Sequence, residues 1–294
     1  MKKLLFCLSV ALFAMGTMQT NAQNIIDAEE SHNDNFYAKT LSKGKEAMPY
    51  QHLRESDVVW ETCIWRTVDM REKFNQFFYF PTDPEKDVQG RQNLANTIIR
   101  ALENSQFEVY EDDELKIPRD WEAVSQLLNR TDSVYVPGEL DEWGDETEGT
   151  WQKFETKLDA ADIFAFKLKE FWYIEKQDTR QKVRIVGLAL VYQQCKERED
   201  GRECNSIDMF WVPMNDMRVR NALVKVNAYD EHNIAAERSY DDIFIDRYFD
   251  SYITRESNRF NRKVESYLTG MDAIIESQEI ETKLGDIESD MWEY

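Results

Sequence analysis

The chain has 294 residues, 42% of them hydrophobic and 13% aromatic, enough to core one large domain or two small ones and too apolar for an acidic disordered tail. Its 57 acidic and 36 basic residues give a formal charge of −21. That excess argues against nucleic acid or an anionic membrane surface as a partner, since both need clustered Lys and Arg, and it favours solubility and a basic protein partner.

The first 22 residues read as a secretory signal peptide. Lys2 and Lys3 start it, Leu4–Met15 is an apolar run, and Thr20-Asn21-Ala22 offers a small-residue site for cleavage between Ala22 and Gln23. The run is too short for a convincing membrane span, and an uncleaved anchor is the alternative reading. Cys7 sits inside the run, too early to be the acylated first residue of a lipoprotein. Without Lys2 and Lys3, 34 basic residues face 57 acidic ones, a charge of −23. No later apolar stretch approaches about 20 residues, so the mature chain is expected to be exported and soluble.

Residues 23–48 are polar and weakly patterned and read as a flexible N-terminal extension. Residues 49–294 read as a single domain. Its first predicted helix is Asp57–Phe74. At about 100° per residue, Val59, Trp60, Cys63, Ile64, Val68, Met70 and Phe74 share one broad apolar arc. Arg71 falls inside that arc, either buried against a carboxylate or snorkelling at its edge. Trp65 falls outside it, among Arg66, Asp69 and Glu72. A Trp there is either covered by another part of the chain or exposed for a partner. Trp65, Arg66, Asp69 and Glu72 are therefore the candidate partner-facing residues, and Arg71 the candidate buried charge. Phe77–Phe80 reads as the exit from the helix into the core.

Helices are further predicted over Arg91–Asn104 and Asp120–Arg130, and a surface loop over Ser133–Thr150. The period then changes. "IFAFKLKEFWYIEKQ" alternates like a half-buried strand, "KVRIVGLALVYQQC" is apolar on both faces, and "IDMFWVP" is a shorter strand. Phe107–Tyr110 is a candidate fourth. Helices return at Asp216–Ala228, Asp241–Arg255 and Glu256–Leu268, the last stopping at Gly270, and a final helical stripe runs through Ile280, Leu284, Ile287 and Met291. The expected fold class is α+β: N-terminal helices, a central antiparallel sheet of three to four strands, and C-terminal helices.

Motifs of enzyme chemistry are missing. There is no G-x-S-x-G, no glycine-rich phosphate loop and no H-E-x-x-H. His32, His52 and His232 stand apart from each other and from cysteines, so no metal site and no cofactor is expected. Glu111–Glu114, "DEWGDE" at Asp141–Glu146 and Asp241/Asp242 are acidic clusters that a glycosidase could use in pairs. In a chain with 57 acids such pairs are unavoidable, and solvated loops or helix ends are the better reading. Cys195 and Cys204 flank the polar turn "KEREDGRE" and either bridge a hairpin or stand as two thiols. Cys63 lies on the apolar arc as a buried thiol.

Three long segments carry a family resemblance. They are "RESDVVWETCIWRTVDMREKFNQFFYFP", "KLKEFWYIEKQDTRQKVRIVGLAL" and "DDIFIDRYFDSYITRESNRFNRKVESYLTGMDAIIESQEI", with "MWEY" after them. Together they resemble the gliding-motility GldN family, also called PorN, from about Pro49 to Tyr294. The resemblance implies a non-enzymatic periplasmic subunit of the type IX secretion system of Bacteroidetes. It further implies a ring formed with a GldK/PorK-like outer-membrane lipoprotein, which would hold the chain at the inner face of that membrane, and contact with the periplasmic part of a GldM/PorM-like motor protein. The alternative is an exported protein that binds or cleaves peptidoglycan.

Overall fold

In the computed structural model the chain divides into two units, residues 1–41 and 42–294. The structure describes residues 44–82, 91–104, 107–136, 150–158, 160–198, 201–230, 233 and 235–292. The predicted signal peptide, its cleavage site at Ala22 and Gln23, and residues 23–43 lie outside them.

The segment read as the first helix is a strand. Val58, Val59, Thr62, Ile64, Thr67 and Val68 are β-branched, and Trp60 and Trp65 add aromatic bulk, a composition that suits a pleated surface. After a 3-10 turn at Glu55–Asp57 the chain extends as β1, Val58–Asp69. The helical arc was misleading for a physical reason. A strand with side chains packed on both faces has no clean period of two, and apolar residues from both faces fill a broad helical arc.

Next come β2 (Val109–Tyr110), β3 (Pro118–Arg119), β4 (Asn129–Val136), β5 (Thr150–Lys157), β6 (Ile163–Glu175), β7 (Asp178–Arg198), β8 (Gly201–Pro213) and β9 (Tyr252–Glu256). Seven of them form one antiparallel sheet in the order β3-β2-β8-β7-β6-β1-β9, and β4 and β5 pair as a separate ribbon. The class is α+β as expected, but the sheet has seven strands rather than three or four. The candidate fourth strand, Phe107–Tyr110, is β2; the extra ones are β1 and β9, both read as helix, and the two-residue edge strand β3, too short to show a pattern. The predicted loop over Ser133–Thr150 shrinks, since 133–136 end β4 and Thr150 opens β5; residues 137–149 lie outside the described ones.

The described residues also form six α-helices: α1 (Gln76–Tyr79), α2 (Leu94–Glu103), α3 (Trp121–Leu128), α4 (Met217–Val224), α5 (Tyr240–Ile245) and α6 (Met271–Trp292). Local chemistry sets several starts. Asn93 caps α2 by accepting the Asn96 N–H, Asp216 caps α4, and Ser239 and Asp242 form a capping box on α5. The predicted helix Asp241–Arg255 stops at Ile245 because Arg247 takes φ 54°, a left-handed conformation that breaks helical repeat. Glu256–Leu268 is not a helix either; it holds a single 3-10 turn at Val264–Ser266. Gly270, at φ 62°, precedes α6 instead of ending a helix.

Register fixes which residues share a face. Arg66, Leu168, Leu188 and Val212 line up across β1, β6, β7 and β8, with Val68 and Phe166 beside them. Leu168, Val68 and Phe166 join α2, α4 and α5 in the main core, where Leu94, Ile98, Leu223 and Phe244 are buried. A smaller core of Ile64, Ile253 and Val264 takes Ile280 and Leu284 of α6. The aromatic run divides. Phe78 is buried, with ring centroids 5.6 Å from Phe244 and 5.9 Å from Phe166, while Phe80 faces outward.

Residues 44–48, the end of the predicted extension 23–48, are described. Ala47 is buried, and its N–H donates to Asn221 Oδ1 at 2.8 Å. No helix among the described residues is long and apolar enough to cross a membrane.

Candidate functional site

On β1 the odd-numbered residues face away from the main core. Trp65 is half-buried there, opposite Lys169 of β6 and Arg255 of β9. The Arg255 guanidinium lies 3.5 Å from the Trp65 ring centroid and Lys169 Nζ 5.5 Å from it. Cations over an indole face are attracted by its quadrupole. Both also reach Asp113: Lys169 Nζ donates to its carbonyl oxygen at 2.6 Å, and Arg255 pairs with its carboxylate. Asp113 is delivered by the tight turn in which Leu115 takes φ 56°.

A groove of about 360 Å³ opens beside this cluster. Lys167 and Asp208, paired at 2.5 Å, stand on one side, and Tyr252, Lys263 and Glu265 also line it. Trp211 lies over Gly187, where an added Cβ would meet its ring at 3.2 Å. The indole Nε1 of Trp65 is buried with no hydrogen-bond partner among the described residues. Of the two readings of Trp65, the structure shows intrachain cover, supplied by Arg255 and Lys169.

Arg66 is on the other face. Only 3% exposed, its Nε sits 3.3 Å from Oε2 of the fully buried Glu170, and its Nη1 donates to Glu281 of α6 at 3.0 Å. The Glu170 contact is electrostatic, since Nε lacks a hydrogen-bonding acceptor there. Glu170 also accepts from Arg247 Nη1 at 2.8 Å and from Trp172 Nε1 at 3.1 Å. The two cores thus meet at a buried ion cluster. Arg66 leaves the partner-facing set, because a period of two, not 3.6, turns it inward.

Arg71 is corrected in the opposite sense. Its side chain is 67% exposed, and it clasps Asp69 with Nη2 to Oδ2 at 2.5 Å. It follows the strand's end, where the predicted apolar arc no longer exists. Burial works to raise the Asp69 carboxyl, but hydrogen bonds from Arg71 outweigh it and hold the group below the usual carboxylate range. Glu72 is exposed, and partial burial near Asp250 and Asp69 pushes its carboxyl up.

The acidic clusters have structural partners. Glu111 pairs with Arg119, Glu114 with Lys116, and Asp112 accepts the Lys116 N–H. Asp241 is ion-paired to Arg220 and Asp242 caps α5. "DEWGDE", His32 and His232 lie outside the described residues, and His52 is exposed before β1. Among the described residues no group of three or more His, Cys, Asp or Glu is placed to hold a metal ion.

Burial pushes the Cys63 thiol up to about 11, against the opposing pull of Lys169 and Arg255. It should resist alkylation at pH 8 until the protein unfolds. The backbone register sets Cys195 directly opposite Cys204; their side chains lie outside the described residues. Denatured without reductant, the chain lacking residues 1–22 is expected to give one reactive thiol. Three would exclude the bridge.

The chain matches the family described as "Gliding motility associated protein GldN" over residues 53–293. It belongs to the GldN family. A search of curated proteins found no match. The three segments that resemble the GldN family fall on β1 with α1, on β6 with β7, and on α5 through the first half of α6. In this GldN chain they converge on Trp65, Glu170, Arg247 and Arg255.

Glu170, Arg247, Lys169 and Arg255 were not singled out from sequence, and Asp113 was read only as a member of the acidic cluster Glu111–Glu114. Glu170 had left a signal: Phe166, Leu168, Glu170 and Trp172 continue one period-two face, which puts a carboxylate inside. Arg255 left none, and nothing in the acidic cluster around Asp113 pointed to Trp65, because both come from distant segments.

Proposed function

We propose that this GldN-family chain is a periplasmic structural subunit of the type IX secretion and gliding machinery, without catalysis. In this reading it is exported, forms a ring with a GldK/PorK-like outer-membrane lipoprotein and stays at the inner face of that membrane through it. It also contacts a GldM/PorM-like motor component. The family match across residues 53–293 carries the proposal. The engagement of the described acidic pairs in ion pairs and caps also favours it over cleavage of peptidoglycan.

The groove beside Trp65 is the proposed partner-facing surface. It offers charged groups of both signs within a strongly acidic chain, so association should be salt-sensitive. Pull-down of the lipoprotein should weaken from low to high salt; an unchanged yield would remove the electrostatic part. Trp65→Ala should weaken that complex roughly tenfold or more, since it removes the ring on which Arg255 and Lys169 are held at the groove. An intact complex with a large drop in melting temperature would make Trp65 a packing residue. Hydrolysis by the purified protein on a peptidoglycan zymogram would overturn the non-enzymatic reading.

A further inference from the structure

A second groove, of about 720 Å³, lies between residues 73–80 and 228–248. Phe74, Phe77, Phe80 and Tyr248 line it. Phe74 sits 4.8 Å from Tyr248 and 6.4 Å from Phe77 between ring centroids, so the rings form one surface. Phe74, Phe80 and Tyr248 are 46, 43 and 44% exposed. A lone exposed ring is ordinary, but three on one groove mark a contact surface.

Lys73 and Arg238 stand at the same groove, and both are exposed. The Arg238 guanidinium lies 4.2 Å from the Tyr248 ring centroid. Neither cation has a carboxylate within ion-pair distance among the described residues. Both stand beside an aromatic floor, in a groove that Asp230 also lines, in a chain of charge −21. That chemistry suits an aromatic side chain flanked by carboxylates: the ring on the floor, the acids on the cations.

The chain carries such a stretch itself. Residues 139–146 read "ELDEWGDE", with Trp143 between Asp141, Glu142 and Asp145, Glu146. They belong to the connection between Val136 of β4 and Thr150 of β5. Copies of an acidic chain repel one another, so a contact between them needs a local patch of opposite sign. We propose that the Phe74–Tyr248 groove of one copy takes residues 139–146 of a second copy. Groove and segment are made of different residues. The contact is therefore heterologous and repeats head to tail, closing into a ring where the rotation allows. It deepens the ring reading proposed above and rests on that reading for closure alone.

Complementation of full chains tests it. Arg238→Glu spoils the groove and keeps the segment; Trp143→Ala does the reverse. In sedimentation velocity at low salt, the wild type should grow past dimer with concentration. Each variant alone should lose association by roughly tenfold or more. An equimolar mixture of the two should form dimers and stop there, because one good groove meets one good segment. Lys73→Glu replaces Arg238→Glu if that variant melts below the wild type. A mixture that stays monomeric, a wild type that never associates, or variants that assemble like wild type would each overturn the contact. If instead both variants lose the lipoprotein in pull-down while the wild type alone stays monomeric, the groove belongs to that partner and the second-copy proposal fails. Dimers in the mixture without any lipoprotein binding would keep the contact and remove the ring reading.

Discussion

Replacing Glu170 by Gln is expected to lower stability by about 3–5 kcal/mol, the usual cost of leaving buried partners uncompensated. For a domain of this size that shifts the melting temperature by on the order of 10 °C. Glu170 is the hub that faces Arg66, Arg247 and Trp172 at once, at 0% exposure. Gln keeps the shape but not the charge, so the loss reads the electrostatics rather than a cavity. Arg66 would then keep Glu281 alone, a partner whose side chain is 57% exposed. Arg247 would lose the contact that stabilises its left-handed backbone. The double variant Arg66→Leu/Glu170→Leu should recover most of the loss, because apolar replacement of a buried pair is often neutral. Calorimetry on the three proteins checks both statements. A single-variant loss below about 1 kcal/mol would mean that the cluster is more hydrated than its geometry indicates.

The second large effect is expected at Arg220. This side chain is 1% exposed and grips Asp241 with two bonds of 2.8 Å. Its third nitrogen donates to the Met48 carbonyl at 2.5 Å, and its guanidinium lies 4.1 Å from the Tyr50 ring centroid. One planar fork thus ties α4, α5 and the incoming chain together. Lys offers a point charge and cannot reproduce the fork. Arg220→Lys should cost about 3 kcal/mol or more, since it leaves Asp241 buried and half-satisfied. It should also release residues 44–51, visible as faster trypsin cleavage at Lys45. A melting temperature within about 2 °C of wild type, with unchanged cleavage, would show that Lys substitutes after all.

Much of the fold was readable where period and length agreed. Leu94, Ile98, Ala101 and Leu102 recur at helical spacing and form the buried face of α2. Phe166 and Leu168 alternate and β6 follows. Ile280 and Leu284 mark the buried stripe of α6. Misreadings fell where a strand is packed on both sides, as in β1, or where one residue interrupts a pattern, as Arg247 does after α5. At the site the pattern was similar. Trp65 was legible as an anomaly because a large aromatic stood among polar residues. Its cover was not, because Lys169 and Arg255 lie about 100 and 190 positions away in the chain.

The sequence alone determined the α+β class, most helices and the strands β6, β7 and β8, because these depend on local spacing and bulk. It also carried the family resemblance, because long aromatic-rich segments are specific in themselves. Tertiary structure alone decided that Trp65 and Arg66, adjacent in the chain, belong to opposite faces of one sheet. It also decided that Arg66 is buried against Glu170 and that Arg71 is exposed. Such outcomes depend on which distant strands pair and in what register, and a shift of one residue reverses every side chain.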